Sequence, residues 1–232
     1  MAKKQFWILV DGETTIKDKV ADFGAAVIDR TGKIHAQCGV MVADIFGEQD
    51  LFYDRNSSGI WSRASVNRRT DHYNQMIENG SRKLASIAAI NRWLEKAAGK
   101  YSPVLTAYNL AFDLSKCRNT GIDLNMFNSS FCLWHAAAGN ICVTKGYRQF
   151  VMDNHLFNTP TAKRNMTFRT DAEAVASYLN GSILEEPHTA LEDVRDFEIP
   201  ILVRVLKKRN WKDNLLAYNW RSFQVKKHFK AA

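Results

Sequence analysis

The segment FWILVDGETT, residues 6–15, decides the fold of this chain of 232 residues. Its first five residues form a continuous apolar run, which is typical of a central strand that is buried on both faces of a sheet. Asp11 and Glu13 follow, and their spacing of two places both carboxylates on one face of the strand end. Two adjacent carboxylates raise each other's pKa unless a cation lies between them. A solvated strand end is the alternative interpretation of this pair.

The segments that flank this strand predict further strands of the same sheet. Residues 22–29 (DFGAAVID) and 33–43 (KIHAQCGVMVA) surround a turn at residues 30–33. Both segments carry the β-branched and apolar residues of strands. Residues 103–108 and 130–134 predict two more short strands.

Apolar periodicity and capping signals predict helices between and after these strands. They cover residues 84–99, 109–121 and 170–181, where Thr170-x-x-Glu173 is a capping box, and a last helix begins at residue 189. Residues 46–80 and 140–168 are polar or basic and predict irregular loops. This order predicts an α/β sheet with an antiparallel edge and helices on its faces.

Length and composition predict one main domain. A chain with 46% hydrophobic residues can bury a full core, so we expect a domain over residues 1–206 and an extension over residues 207–232. No apolar run is long enough to cross a bilayer, and charged residues near the N-terminus do not fit a signal peptide. The four cysteines lack any CxxC pattern, which predicts reduced thiols and a cytoplasmic location.

The formal net charge of +8 lies entirely near the C-terminus. Residues 204–230 contain nine Lys or Arg against one acidic residue, whereas residues 1–203 carry 23 of each sign. Aromatic residues are interleaved with these charges: Trp211, Tyr218, Trp220, Phe223 and Phe229. Basic groups follow a phosphate backbone and flat rings stack on unpaired bases, so the extension predicts binding of single-stranded nucleic acid. The alternative is an extension whose aromatic residues pack on the core.

A third carboxylate stands at the start of a predicted helix, in AYNLAFDLSK. Asn109 is a strong N-cap, which places Asp113 at the fourth helical position, in the first turn. A carboxylate there is stabilised by the helix dipole, so ordinary helix stabilisation also explains it.

The segment PHTALEDVRDF, residues 187–197, begins another helix with unusual polar residues. Thr189-x-x-Glu192 is a capping box, which makes Thr189 the predicted N-cap and Asp193 the fourth helical residue. His188 precedes the cap. The positions of His188 and Asp193 usually carry the apolar residues of a hydrophobic staple, so their polar nature indicates function. An exposed His–Asp contact at an ordinary helix start is the alternative.

Taken together, these segments resemble the DEDDh family of 3′→5′ exonucleases, which includes proofreading exonucleases, ribonuclease T and oligoribonuclease. VDGETT resembles the first motif of the family, VADFGAAVID its second strand, and AYNLAFD its second motif. HTALED resembles the third motif, H-x-A-x-x-D, through His188, Ala190 and Asp193. The resemblance covers roughly residues 5–206. The chain departs from it at Ile16, where relatives usually have glycine.

The resemblance implies a ribonuclease H-like mixed sheet, with three antiparallel strands followed by parallel ones, flanked by helices. It also implies that Asp11, Glu13, Asp113 and Asp193 hold two Mg²⁺ or Mn²⁺ ions. His188 would act as general base on the attacking water, with a pKa that nearby acids keep near neutrality. The product would be a nucleoside 5′-monophosphate released from a 3′ end. The residues themselves also require a cation, because four clustered carboxylates repel one another.

The expected partners are the 3′ ends of single-stranded DNA or RNA, with DNA favoured. Beside the acidic motifs and in the extension, the residues predicted to bind substrate are Thr14, Asn109, Phe112, Lys207, Arg209, Trp211, Trp220, Lys226 and Lys227. The alternatives are an RNA-trimming 3′ exoribonuclease, an endonuclease or resolvase of the same broad fold, and a non-catalytic nucleic-acid-binding protein. No membrane partner is expected, and the sequence identifies neither a homodimer nor a polymerase-associated partner.

Overall fold

The computed structural model describes residues 4–161, 165–217 and 219–225, and six strands of these residues form one mixed sheet. The strands are β1 (Phe6–Thr14), β2 (Val20–Asp29), β3 (Ile34–Val42), β4 (Lys83–Ala85), β5 (Val104–Ala107) and β6 (Ser130–Cys132). Their order across the sheet is β4-β3-β2-β1-β5-β6. Strands β1, β2 and β3 are antiparallel neighbours, β5 is parallel to β1, and β6 is parallel to β5. The predicted fold class is therefore confirmed.

Helices cover both faces of this sheet. They are α1 (Arg63–Glu78), α2 (Ile87–Tyr101), α3 (Leu110–Thr120), α4 (Leu133–Ala137), α5 (Lys145–Asp153), α6 (Ala172–Asn180), α7 (Ala190–Glu192) and α8 (Ile199–Leu206). π-helical turns at Ala138–Cys142 and Asp193–Glu198 follow α4 and α7. A small hairpin pairs β7 (Phe157–Asn158) with β8 (Thr167–Phe168). Among the described residues, no helix combines the length and apolar character that a membrane crossing requires.

The two faces of the sheet build two hydrophobic cores. Along β1, Ile8 and Val10 pack on the side of α2 and α3, whereas Trp7 and Leu9 pack on the side of α4, α6 and α8. This alternation follows from the two-residue period of a strand. Every residue of β2 is buried, because β2 lies in the middle of the sheet with helices on both of its faces. The central strands are therefore fixed platforms for side chains at their ends.

The prediction of an irregular loop over residues 46–80 is wrong for its second half, which forms α1. The hydroxyl of Ser62 caps this helix by accepting from the Ser65 amide. Val66, Tyr73 and Met76 are its buried residues. Such a narrow apolar stripe on a polar helix gives a weak periodic signal, which explains the error.

The prediction of a loop over residues 140–168 is also wrong in part. It contains α5, whose buried residues Tyr147 and Val151 are four apart, and the hairpin of β7 and β8. Strand β6 ends at Cys132 rather than at residue 134, because α4 begins at Leu133.

The N-cap of α6 is Asp171 rather than the predicted Thr170. The Asp171 carboxylate accepts from the Ala174 amide at 3.0 Å. Thr170 is buried, and its hydroxyl accepts from the indole of Trp134 at 3.0 Å. A long-range contact has taken the threonine away from the capping role that its local sequence favours.

The described part of the C-terminal extension packs on the core of the main domain. Trp211, Phe223 and Val225 are buried in the cluster that covers α4, α6 and α8. The rings of Trp211 and Phe131 lie 4.6 Å apart between centroids. Within the described residues of the extension, the packing interpretation therefore holds for Trp211 and Phe223.

Candidate active site

The acidic residues meet where the neighbouring parallel strands β1 and β5 end, at the carboxyl ends of these two strands. Asp11 and Glu13 lie near the end of β1, and β5 leads through Asn109 into α3. Asp113 is the fourth residue of α3 and is buried. Burial raises the pKa of its carboxyl group, and the backbone of Gly12, on β1, lowers that pKa by a smaller amount. The first turn of α3 thus faces the end of β1.

The segment that carries His188 and Asp193 is anchored on β2. The Ala190 amide donates to Asp22 Oδ2 at 2.9 Å, and Asp22 is fully buried. At Gly24, an added β-carbon would come closer than 3.0 Å to the backbone of Ala190. Only glycine therefore allows α7 to lie directly on the sheet.

A buried arginine holds the other side of α7. Arg82 is 2% exposed, donates to Glu192, and lies 3.8 Å from Asp22. Thr189 is the N-cap, as predicted, but its side chain makes no capping hydrogen bond. The predicted capping box is therefore not formed, because Glu192 pairs with Arg82 instead.

His188 is held with its ring towards Glu13. Its backbone has a φ of 54°, in the left-handed region, and its carbonyl accepts from the Tyr73 hydroxyl at 2.9 Å. Its Nδ1 lies 3.9 Å from Glu13 Oε1. A non-glycine residue at positive φ carries a backbone cost that neighbouring contacts must offset. Tyr73 and the anchored α7 supply those contacts on either side.

Glu13, His188 and Asp193 form a compact cluster of potential metal ligands. One ligand atom from each lies within 4.8 Å of the other two. Asp11 lies within the electrostatic reach of this trio and of Asp113. Burial, followed by the charges of Asp113, Glu198, Asp193 and Glu13, raises the pKa of Asp11 well above its usual range. The structure therefore brings together the four carboxylates and the histidine from all three sequence motifs.

The pKa values of these carboxyl groups are those of a crowded, buried site. Burial is the main cause of each increase. It raises the pKa of Glu13 to about 7, of Asp113 to about 8 and of Asp193 to about 10. Each shift means that the protein without a cation disfavours the ionised carboxylate.

These residues fit divalent cations. Asp193 Oδ1 is buried and has no hydrogen-bond partner, so one strong acceptor of this carboxylate is left unsatisfied. Carboxylate oxygens are the ligands that Mg²⁺ and Mn²⁺ prefer. A cation among them would compensate both the repulsion and the unpaired oxygen.

The pKa of His188 is lowered from its ordinary value, which differs from the expectation that nearby acids keep it near neutrality. Burial is the main cause, followed by the positive charge of Arg69, and the opposing effect of Glu173 and Asp171 is smaller. The imidazole is consequently neutral at pH 7 and able to accept a proton.

Sequence reasoning missed a fifth carboxylate of the site, Glu198, which is buried at the end of the π-helical turn that begins at Asp193. Its Oε1 accepts from the Tyr108 amide at 3.0 Å, and its Oε2 is buried without a partner. Its charge raises the pKa of Asp11. The sequence offered one signal, an acidic residue among the apolar residues of this helix. Residues five apart lie on different faces of an α-helix, so the sequence did not place Glu198 beside Asp193, whereas the π-helical turn does.

Sequence reasoning also missed Arg69, on α1. Its Nη1 donates to Glu13 Oε2 at 3.0 Å, and both side chains are largely buried. No local pattern in a segment interpreted as a loop could place this arginine on the end of β1.

Three of the residues predicted to bind substrate lie beside the acidic motifs in the sequence. Thr14 ends β1, and its carbonyl accepts from the Phe52 amide at 2.8 Å. Asn109 is exposed at the N-cap of α3. Phe112 is 41% exposed directly before Asp113, and Lys116 Nζ lies 4.9 Å from its ring centroid. An exposed ring next to a buried carboxylate is compatible with its predicted role.

The predicted binding residues of the extension are divided by the fold. Lys207 and Arg209 are exposed, Trp220 is partly buried, and Trp211 is buried against Phe131. Trp211 therefore has no free face for stacking. Lys226 and Lys227 lie outside the described residues.

Comparison with known proteins gives likeness in structure only. No protein-family profile matches the chain, and no curated protein matches it. Two solved structures are similar: exonuclease I in complex with the inhibitor BCBP, and E. coli exonuclease I in complex with a 5cy-dT13 oligonucleotide. Both share 15% identity and cover 90% of this chain, with TM-scores of 0.46 and 0.44. The chain spans 42% and 41% of the lengths of those two chains.

Proposed function

We propose that this chain is a metal-dependent 3′→5′ exonuclease that hydrolyses single-stranded nucleic acid, DNA in preference to RNA, to nucleoside 5′-monophosphates. Residues 1–206 are its catalytic domain and residues 207–232 its extension. The observation that carries the proposal is the trio of Glu13, His188 and Asp193, whose ligand atoms lie within 4.8 Å of one another. An imidazole and two carboxylates at this spacing, with Asp11 and Asp113 adjoining, suit the hydrolysis of phosphodiesters.

The carboxylates are the proposed cation ligands. Asp11, Glu13, Asp113 and Asp193 would hold two divalent ions, Mg²⁺ or Mn²⁺, whose charge would stabilise the attacking and leaving oxygens. The buried, unpaired Oδ1 of Asp193 supports this assignment. The anchoring of β1, α3 and α7 fixes these oxygens before substrate arrives, which avoids the cost of assembling them during the reaction.

His188 is the proposed general base. Burial and Arg69 keep its imidazole neutral, and its ring faces the same carboxylates. The imidazole would take a proton from the attacking water as the new bond to phosphorus forms, and the leaving 3′ oxygen would depart with the rest of the strand. The hydrogen bond from Tyr73 to the His188 carbonyl positions the ring for this transfer.

Digestion of end-labelled strands tests the proposal. Single-stranded DNA and the matching RNA, each labelled at the 5′ end, are incubated with Mg²⁺ or Mn²⁺ and either the wild-type protein or Asp11→Ala. We expect a ladder that shortens stepwise from the 3′ end, faster for DNA, and absent with the variant.

The other outcomes separate the alternatives. Faster shortening of RNA would identify a 3′ exoribonuclease that uses the same site. Internal cuts that do not depend on a free 3′ end would indicate an endonuclease. Binding without metal-dependent cleavage of either strand would contradict catalysis and leave a nucleic-acid-binding protein.

A further inference from the structure

We propose that the groove between α1 and residues 185–188 holds the substrate strand, with Arg68 on its phosphates and the Phe52–Trp61 ring pair beside the groove stacked on an unpaired base. This groove, called the α1 groove below, has a volume of about 420 Å³. It is lined by Ile60, Ser65, Arg68, Arg69, His72, Glu185, Glu186, Pro187 and His188. The inference deepens the proposed function and rests on it for the position of the 3′ end.

The α1 groove opens onto the catalytic residues. His188 lines it directly, and Arg69 on its wall donates to Glu13 at 3.0 Å. A strand whose terminal phosphodiester lies at Glu13 and His188 can therefore continue into this groove. This continuity with the proposed reaction centre is the reason for placing the strand in the α1 groove.

One face of α1 presents the basic groups. Ser65, Arg68, Arg69 and His72 are spaced by three, one and three residues, which places them on the same side of the helix. Arg68 and His72 are exposed, and Arg68 Nη2 donates to Ser65 Oγ at 2.8 Å. Guanidinium groups bind phosphate oxygens with two parallel donors, so this face suits a phosphodiester backbone.

The opposite wall of the groove is acidic. Glu185 and Glu186 lie on the segment that leads to His188. Burial raises the pKa of Glu186 to about 8, so the exposed Glu185 supplies most of the negative charge of this wall. A carboxylate repels phosphates, so the backbone of a bound strand would lie against α1 and away from residues 185–188. The charges of the two walls thus determine which wall the phosphate backbone of the bound strand contacts.

An exposed aromatic pair adjoins the basic face. Arg69 Nη2 lies 3.4 Å from the Phe52 carbonyl, and the rings of Phe52 and Trp61 pack edge to face with centroids 5.1 Å apart. Phe52 is 38% exposed and Trp61 is 41% exposed. Large exposed rings next to phosphate-binding arginines are the composition of sites that stack unpaired bases.

This arrangement predicts selection for single strands. Stacking on Trp61 requires a base whose face is free, and a paired base inside a duplex has none. The ring pair beside the α1 groove would therefore discriminate single-stranded from double-stranded substrate, while Arg68 would bind either backbone.

Binding of a fluorescein-labelled oligothymidylate to the full chain in EDTA, where no cation supports cleavage, tests the α1 groove by fluorescence anisotropy. We expect Trp61→Ala to weaken binding by about 5- to 150-fold, the range for loss of one stacked base, without changing the salt dependence. We expect Arg68→Ala to reduce the slope of log K against log salt by about 0.7, the value for one phosphate contact with a single strand. Arg92→Ala, an exposed arginine on α2, is the matched control and should leave the slope unchanged.

Wild-type affinity and salt slope in both groove variants would overturn the inference. Loss of affinity in Trp220→Ala together with wild-type binding by Trp61→Ala would also overturn it and assign stacking to the extension. Both Trp61 and Arg68 are exposed, so their substitution should leave the melting temperature near that of the wild type.

The failure of this inference can be told from a failure of the proposed function. If the chain binds through Trp61 and Arg68 but shortens no strand with Mg²⁺ or Mn²⁺, the inference about the α1 groove is supported and the proposed exonuclease activity is contradicted. If the chain shortens strands but binds equally well without Trp61 and Arg68, the exonuclease activity is supported and the inference about the α1 groove is contradicted.

Discussion

The backbone of Ala190 lies so close over Gly24 that a β-carbon at position 24 would come within 3.0 Å of it. The nearest atoms are backbone atoms of α7, which cannot rotate away as a flexible side chain can. This contact fixes the distance between β2 and the helix start that carries His188 and Asp193. The geometry of the site therefore depends on a glycine that takes no part in its chemistry.

We expect Gly24→Ala to destabilise the protein by about 1–3 kcal/mol or more, as overpacking does, and to reduce activity because α7 moves off the sheet. Thermal unfolding and the strand-shortening assay measure the two effects. Gly99→Ala is the control, because Gly99 lies in α2 with nothing within 4 Å of an added β-carbon. This change should stabilise by up to about 1 kcal/mol through helix propensity. Equal stability of the two variants would show that the close approach of Ala190 to Gly24 does not restrict the residue at position 24.

We expect Asp193→Asn to remove metal-dependent activity and to weaken Mn²⁺ binding, because the amide cannot supply the charge that the buried carboxylate supplies. Isothermal titration with Mn²⁺ measures the loss independently of turnover. Asp196→Asn is the matched control, since Asp196 is exposed and pairs with Arg195 at 2.8 Å. Retained activity in Asp193→Asn together with loss in Asp196→Asn would reverse the assignment.

We expect His188→Ala to lower turnover by about 10²- to 10⁴-fold, the usual contribution of a general base, while the chain remains folded. The backbone carbonyl that accepts from Tyr73 persists in this variant, so the local anchor should survive. Single-turnover rates and circular dichroism give the two readings. Near wild-type turnover would remove His188 from the mechanism.

We expect the protein without divalent cations to lose stability as pH rises from 5 to 8. The folded-state pKa values of Glu13 and Asp113 are raised to about 7 and about 8, above those of the unfolded chain. The folded state therefore holds protons that the unfolded state has released, and the stability from these groups falls as pH rises through the raised values. His188, whose pKa is lowered, acts in the opposite direction, but as one group against several.

Cations should reverse this dependence. The proposed site takes Mg²⁺ or Mn²⁺ on its ionised carboxylates, so we expect either ion to raise the melting temperature more at pH 8 than at pH 5. Melting curves at both pH values, with the ion and with EDTA, measure the difference. An equal increase at both values would contradict a carboxylate site. In Asp11→Asn the increase at pH 8 should be smaller.

The sequence by itself determined the local features of this protein. The apolar run of β1 and its two following carboxylates predicted a central strand with acidic groups at its end, because strand periodicity is written in neighbouring residues. Asp113 and Asp193 are each the fourth residue of a helix segment, as the flanking N-cap residues predicted. These signals involve only a few neighbouring residues, so they can be recognised in the sequence without knowledge of the fold.

Only the tertiary structure decided which distant groups support the site. Ala190 reaches Asp22 across 168 positions, Arg82 reaches Glu192 across 110, and Arg69 reaches Glu13 across 56. Such partners leave no periodic pattern, because their spacing depends on how whole elements pack. For the same reason, long-range contacts replaced both predicted capping boxes: Thr170 accepts from Trp134, and Glu192 pairs with Arg82. The contact of Arg69 on α1 with Glu13 at the end of β1 was not predictable either. Local sequence determines the position of a side chain on its helix or strand, whereas the packing of whole elements determines which distant side chains it contacts.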